Sequence, residues 1–567
     1  MPAPRTLVDA LEEAARADTG VWFVDGASET FRSYAVLLQE SRRIAAALLD
    51  AGLQRGDLVA LILPDPNQFL TALFGASIAG LVPASLYPPA SVSEIDPYLA
   101  QTSRILSSTA ARGVVTTAAL AASIGQLSAR CPNLAHILTY ESLDGPATPA
   151  FAPPALRRGK DSAERPSLDD VAFVQFTSGS VSSPKGVAIT HANLAANIDA
   201  INGPAGLATT DTDVAVSWLP LNHDMGLVGM ALGALYVARP CVLMRPHVFV
   251  RRPVEWLRAI ARYRGTVSFA PNFAFDLCVR RVKDLDGLDL SSWRVAGCGA
   301  EPIHAPTLLA FAEKFAPAGF RETALLPSYG LAEHVLAATF SPLRRPLQID
   351  RVLRDDLLDR RIAAPTRDGD ASIALVSCGR PFPDHDLQIV DDGGHVLPER
   401  RVGEIVLRGP SVMRGYYNAE ALTAETLRDG RLWTGDLGYL SDGELFVCGR
   451  AKDIIIVNGR KYHPQDLEWI VDELSGVRRG RVIAFAVSEP GVPDRVVVVV
   501  EPSGTVAADA LTAAIRQQIA DAFGVYVDDV VHVAGGTIGR TTSGKVQRAA
   551  TKARYERGGF TSTTPTL

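Results

Sequence analysis

Cysteine is scarce and scattered. Six thiols (Cys131, Cys241, Cys278, Cys298, Cys378, Cys448) are spread over 567 residues, and no two have the C-x-x-C spacing of a zinc or redox site. This excludes a disulfide scaffold and suits a reducing compartment. Long apolar runs are missing too. The nearest, Leu227 to Ala238, stops at Arg239, short of the roughly 18 residues a membrane helix needs. The N-terminal MPAPRTLVDALEEAA carries acids and no apolar stretch of the signal-peptide kind. We therefore expect no integral membrane segment and a cytoplasmic location. A basic excess is also absent. With 56 Lys and Arg against 62 Asp and Glu, the net charge is −6, and nothing in the composition marks a nucleic-acid partner.

What is there is ordinary globular material, 47% apolar and 21% charged, long enough for several compact units. Up to about residue 340 short apolar runs alternate with helical patterns, which favours an α/β core with partly parallel sheets. Leu58 to Leu63, bounded by Pro64, suits a buried strand, and Phe69 to Ala79 suits a helix. Residues 145–168, rich in Pro, Ala and charge, suit a surface loop. Towards the end, His463-Pro464 opens a helix whose Leu467, Ile470, Val471 and Leu474 share one face. Val496 to Val500 suits a buried strand. Leu511, Ile515, Ile519 and Phe523 mark a last helix closed by Gly524. This end reads as a small α+β unit.

Five segments carry chemistry. Thr177-Ser178-Gly179-Ser180 with Lys185 offers hydroxyls, backbone N–H groups and an ammonium between two strands, as a polyphosphate requires; it is equally an ordinary polar hairpin. Gly539 to Lys545 mimics a Walker A loop, but Val546 stands where Ser or Thr should hold Mg²⁺, so a P-loop is rejected. What remains is a glycine loop presenting Lys545, or a basic surface turn. His223-Asp224 is a base–orienter pair or a structural histidine. Ser328-Tyr329-Gly330 leads to Glu333, which beside a polyphosphate can hold Mg²⁺ and is otherwise a surface acid. The fifth is Thr434-Gly435-Asp436 followed by Gly449-Arg450-Ala451-Lys452.

In this order, from about residue 10 to 555, the segments resemble the adenylate-forming superfamily of acyl-CoA synthetases, luciferases and peptide-synthetase adenylation domains. Ser217-Trp218-Leu219-Pro220 before His223-Asp224-Met225-Gly226-Leu227 resembles the fatty acyl-AMP ligase branch. So does Lys452-Asp453-Ile454-Ile455-Ile456-Val457 before His463-Pro464-Gln465-Asp466. The long stretch from Glu333 to Gly379 fits that branch, whose insertion is thought to restrain the C-terminal domain and disfavour CoA; we expect it within 341–372. A surface loop without consequence fits its length as well.

The resemblance implies a large α/β N-terminal domain over 1–450, made of two α/β subdomains and a small β-barrel-like part. A small mobile α+β domain over 451–567 would carry the catalytic lysine. It implies ATP and Mg²⁺ as cofactors. Thr177, Ser178, Gly179, Ser180 and Lys185 would line the phosphates, and Lys545 would bridge the acyl carboxylate and the α-phosphate. Glu333, with Thr177, would bind Mg²⁺, and His223 would sit near the acyl carboxylate. Gly299, Ala300, Glu301, Pro302, Ser328, Tyr329 and Gly330 would enclose adenine; Asp436 and Arg450 would hold the ribose. Lys452 falls at the hinge. Gly229 and Met230, in the apolar stretch from Met225 to Tyr236, are the candidates for an acyl tunnel wall. Asn222, where an aromatic is common in the family, alters the acyl entry.

The implied reaction is ATP-dependent formation of a medium- or long-chain acyl-AMP, then transfer to the pantetheine thiol of a separate acyl carrier protein. No D-S-L carrier motif follows Lys545. Arg478, Arg479 and Arg481 are candidates for docking that acidic partner, or plain solvated arginines. Two rivals stand. A fatty acyl-CoA ligase would consume CoA, and the basic pair Arg460-Lys461 can meet a CoA phosphate. A catalytically silent adenylate-binding homologue would show no pyrophosphate exchange.

Overall fold

The computed structural model describes residues 5–26, 28–89, 95–144, 165–177, 185–366, 372–457, 460–489, 492–540 and 546–560. Two mixed sheets organise the N-terminal part. In the first, the strands Val171–Thr177, Val82–Ser85, Leu58–Leu61, Gly113–Thr116 and His136–Thr139 run parallel in that order. Lys185–Thr190 and then Gly415–Tyr416 add antiparallel at the Val171–Thr177 edge. In the second, the parallel centre runs from Leu325–Gly330 through Val295–Cys298, Val267–Ala270, Ala215–Ser217 and Cys241–Met244 to Gly20–Asp25. Antiparallel strands close both of its edges.

Local sequence explains these elements. Leu58–Leu61 is buried on both faces, as a central parallel strand must be. The following helix, Pro66–Ile78, starts with Asp65 accepting from the N–H groups of Asn67 and Gln68, with proline in the first turn. Thr190 caps His191–Asn202 through a reciprocal bond with Asn193, and Leu194, Ile198 and Ile201 form its buried stripe. The expected surface loop at 145–168 falls largely outside the described residues.

Residues 386–450 form a third unit, an antiparallel sheet of five strands. Among the described residues its pairings leave it open where a barrel-like part was expected. The small unit pairs Val477–Glu489 with Val492–Pro502 and adds Asp529–His532 in parallel. The helices Pro464–Asp472 and Ala508–Phe523 cover it, with Leu467, Val471, Leu511, Ile515 and Ile519 fully buried. Gly524, at φ +66°, ends the second helix in the left-handed region.

The described residues of the long stretch after Glu333 are folded. Ile349–Leu353 pairs antiparallel with Ser372–Val376, and Arg354–Asp359 is a short helix. Val352, Leu357, Leu358 and Ile373 belong to the same apolar cluster as Leu467, Val471 and Leu511 of the small unit. Arg354 donates to the carbonyl of Ala522 and its guanidinium lies 4.5 Å over the Phe523 ring.

Candidate active site

Carboxyl ends of strands from both sheets open into a cleft of about 2080 Å³, roofed by the third sheet and the small unit. Ligands of open α/β sheets bind at such ends. Thr177, Lys185, His223, Gly229, Ala300, Glu301, Pro302, Ser328, Tyr329, Gly330, Glu333, Asp436, Arg450 and Lys452 all border it. Ser178, Gly179, Ser180 and Lys545 lie outside the described residues. Two candidates do not border the cleft. Gly299 stands behind it, where a Cβ would fall 2.6 Å from Ser328 Oγ. Met230, 1% exposed, packs into the apolar core beside it.

Three constellations face the cleft. The first is built on the antiparallel pair Arg431–Ser441 and Glu444–Arg450, which sets Asp436 directly opposite Arg450. The ladder slips between Glu404 and Val406, and Gly435 takes φ +71°, the glycine geometry that re-aims a strand side chain. Asp436 Oδ1 accepts from Arg450 Nε at 3.0 Å, and Oδ2 accepts from the Tyr329 hydroxyl at 2.8 Å. Asp436 holds the Arg450 guanidinium even more firmly protonated, while burial and then Asp436 push the Tyr329 phenol well up. Each carboxylate oxygen keeps a lone pair for a further hydroxyl.

The second gathers charge for a polyphosphate. Thr177 and Lys185 are register partners at the mouth of their hairpin. The Lys185 ammonium lies 5.0 Å over the Tyr416 ring, and the Tyr416 hydroxyl donates to Glu333 Oε1 at 2.8 Å. Burial, reinforced by Glu333, pushes the Tyr416 phenol up. Gly330 must be glycine, since a Cβ there would lie 1.8 Å from the Leu336 carbonyl oxygen. Among the described residues no group of three or more His, Cys, Asp or Glu can hold a metal by protein ligands alone. One carboxylate and one hydroxyl suit a Mg²⁺ that arrives with substrate phosphates.

The third is the acyl side. His223 Nδ1 lies 2.7 Å from Asp224 Oδ1, and Gln175 Nε2 steadies the turn by donating to the Asn222 carbonyl at 2.8 Å. Met225–Leu232 is a π-helix, a form concentrated at functional sites. Gly226 lets it approach Pro220, whose carbonyl oxygen would be 2.3 Å from a Cβ. Met225, Gly229, Leu243, Phe269, Leu336 and Phe340 give this end an apolar wall.

Some placements differ from expectation. Glu301 borders the cleft with Oε1 committed to the Phe273 N–H at 2.6 Å. Arg481 turns inward, to the Ile538 carbonyl at 2.9 Å and towards buried Glu501 at 3.8 Å, so it is not a free docking arginine. Arg478 donates to the Pro502 carbonyl, and Arg479 borders the cleft. Tyr416 and Gln175 escaped the sequence reading; Gly415-Tyr416-Tyr417 was the available signal, with no spacing that ties it to Glu333.

Known proteins similar to this chain share one family. The family described as AMP-binding enzyme matches residues 11–417, and the AMP domain of Disco-interacting protein 2-like proteins matches 452–564. A Caulobacter vibrioides protein provisionally described as an acyl-CoA synthetase is 38% identical, covering 98% of this chain and 96% of its own. The medium-chain-fatty-acid–[acyl-carrier-protein] ligase JamA of Moorena producens is 34% identical over 92% of this chain and 89% of its own. A solved structure from work on fatty acyl-adenylate ligases of E. coli and L. pneumophila superposes with TM-score 0.90 at 36% identity, covering 98% of each chain.

Proposed function

The chain belongs to the AMP-binding enzymes, as an enzyme of the fatty acyl-AMP ligase type, and from that premise we propose the following reaction. A medium- or long-chain fatty acid is activated by ATP, and its acyl group passes to the phosphopantetheine thiol of a separate acyl carrier protein. An acyl carboxylate oxygen attacks the α-phosphorus, the bond from that phosphorus to the bridging oxygen breaks, and pyrophosphate leaves. The carrier thiol, losing its proton, then attacks the acyl carbonyl carbon and AMP leaves.

The observation that carries this reading is the spacing of unlike stations around one cleft. Asp436, clamped by Tyr329 and Arg450, suits two ribose hydroxyls. Lys185, Thr177 and Glu333, joined through Tyr416, suit the phosphates. Two anions must meet here, so the site has to neutralise charge; an ammonium about 4 Å from a phosphate oxygen contributes on the order of 4 kcal/mol at an effective dielectric near 20. Lys545 is the proposed cation between carboxylate and α-phosphate. Mg²⁺, when bound, would screen the polyphosphate, with Glu333 and Thr177 as its protein ligands. Ala300, Pro302, Ser328 and Gly330 would flank adenine, and His223 would orient the acyl carboxylate. Lys452, in the turn Ala451–Asp453 directly after the ribose station, suits a hinge.

The test is a product assay with ATP, Mg²⁺ and dodecanoic acid, with and without CoA. Acyl-AMP accumulating in both tubes is expected. Acyl-CoA in the second tube would move the enzyme to the CoA-ligase reading, which one relative's description favours. No pyrophosphate exchange above a Lys545→Ala control would leave a silent homologue.

A further inference from the structure

Between residues 245 and 283 the chain carries nine Lys and Arg against two Asp and Glu, in a protein of net charge −6. Three of these cations are neutralised from neighbouring segments: Arg245 by Asp25 and Asp65, Arg262 by Glu29, Arg264 by Asp289. Arg280 is held by Asp276 of its own helix, and the other five are exposed on or just after three neighbouring helices, Pro246–Arg251, Val254–Tyr263 and Asn272–Arg281. Arg252 and Arg258 share the single carboxylate of Glu255, at 2.8 and 3.1 Å. Arg281 donates to the Val250 carbonyl at 3.4 Å, which joins the third helix to the first. Arg251 and Lys283 have no carboxylate partner among the described residues. At the centre Val250 is 50% exposed.

Two of these helices start in the cleft. Arg245, Pro246 and His247 border it at the head of the first, and Asn272, Phe273 and Asp276 at the head of the third. At about 1.5 Å per residue, Arg251 and Arg281 stand roughly 6 and 8 Å beyond the last of those bordering residues. A partner seated on this face can therefore feed a thin flexible arm into the cleft. We infer that this face is the docking surface for the acidic carrier protein, its cations meeting carboxylates of the carrier and Val250 a small apolar contact. Charge complementarity of this kind sets encounter rate and register. Among the described residues of the three helices none is an exposed aromatic, the type that marks membrane-surface binding. The inference rests on the transfer half of the proposed reaction, and it moves docking from the small unit's arginines to the N-terminal part.

The test is the triple variant Arg251→Glu, Arg281→Glu, Lys283→Glu. It is assayed with an acidic holo-carrier protein that the wild type acylates, and with free pantetheine. Pyrophosphate exchange and transfer to pantetheine are expected to stay at wild-type level, which also shows that the variant is folded. The KM for the carrier should rise about tenfold or more, and its dependence on ionic strength should flatten. Replacing the three by Gln should give an intermediate rise. Unchanged carrier kinetics would overturn the inference while leaving the ligase reading intact. So would wild-type co-sedimentation with phosphatidylglycerol vesicles that the triple variant abolishes without touching carrier transfer. Loss of pyrophosphate exchange in the wild type would instead refute the reading beneath it.

Discussion

At the scale of single residues, Tyr416 is the most informative side chain in the cleft. Its ring carries the Lys185 ammonium and its hydroxyl holds Glu333, so it sets the proposed phosphate cation and the proposed metal carboxylate relative to each other. Tyr416→Phe keeps the ring and removes only the hydroxyl bond to a charged acceptor, worth about 1.5–3 kcal/mol. We expect the Mg²⁺ concentration for half-maximal pyrophosphate exchange to rise about tenfold or more. Binding of metal-free AMP, read by calorimetry, should not change, because the Tyr329–Asp436–Arg450 station is untouched. An unchanged Mg²⁺ requirement would show that Glu333 needs no such support. Glu333, Asp436, Lys185 and Arg450 were visible in the sequence because each sits in a local motif. Tyr416 was not, because its bond to Glu333 spans 83 residues and comes from an edge strand of two residues.

At the scale of elements, chain order was readable where a single face is buried, a cap is chemical, or a short apolar run is bounded by turn residues. The helices after Asp65, Thr190 and His463 and the strand at Leu58 follow the sequence pattern closely. The π-helix Met225–Leu232 was not readable, because a stretch apolar on every side shows no period. Nor was the fold of the long stretch after Glu333; its length was visible, whereas its strand pairing is made between segments separated in sequence by the helix Arg354–Asp359 and a dozen further residues. The π-helix carries its own prediction. A Cβ on Gly229 would lie 2.9 Å from Leu336 Cδ2, so Gly229→Leu fills space on the apolar wall. Each acyl CH₂ excluded costs about 0.8 kcal/mol. The ratio of kcat/KM for dodecanoic over octanoic acid should fall at least tenfold, with pyrophosphate exchange on the shorter acid retained. An unchanged ratio would remove Gly229 from the acyl wall.

At the scale of the whole molecule, the expected boundary at 450 divides chemistry better than it divides the core. Leu437, Tyr439, Phe446 and Cys448 share one apolar cluster with Tyr462, Leu467 and Val471 across it, and Val352, Leu357 and Ile373 complete that cluster. Other contacts cross the same seam: Gln465 Nε2 donates to the Cys448 carbonyl at 2.8 Å, and the His304 and Trp469 rings lie 4.6 Å apart. Asp466, in the first turn of Pro464–Asp472, belongs to this seam. Burial pushes its carboxyl up to about 7; Arg354 pulls the other way and Glu468 adds to the rise. Between pH 4 and 7 the folded chain therefore keeps a proton that the unfolded chain releases, and this group costs the fold stability as pH rises through that window. His463, lowered to about 4 by burial, acts in the opposite sense from pH 4 to 6.5 and remains in an Asp466→Asn variant. The difference between variant and wild type thus isolates Asp466. Asp466→Asn should have the higher melting temperature at pH 8. That advantage should shrink steadily on going to pH 5, as followed by calorimetry at matched ionic strength. A gap that stays constant across this range would mean the carboxyl titrates normally and that Arg354, reaching over from the hairpin after Glu333, already neutralises it in the seam.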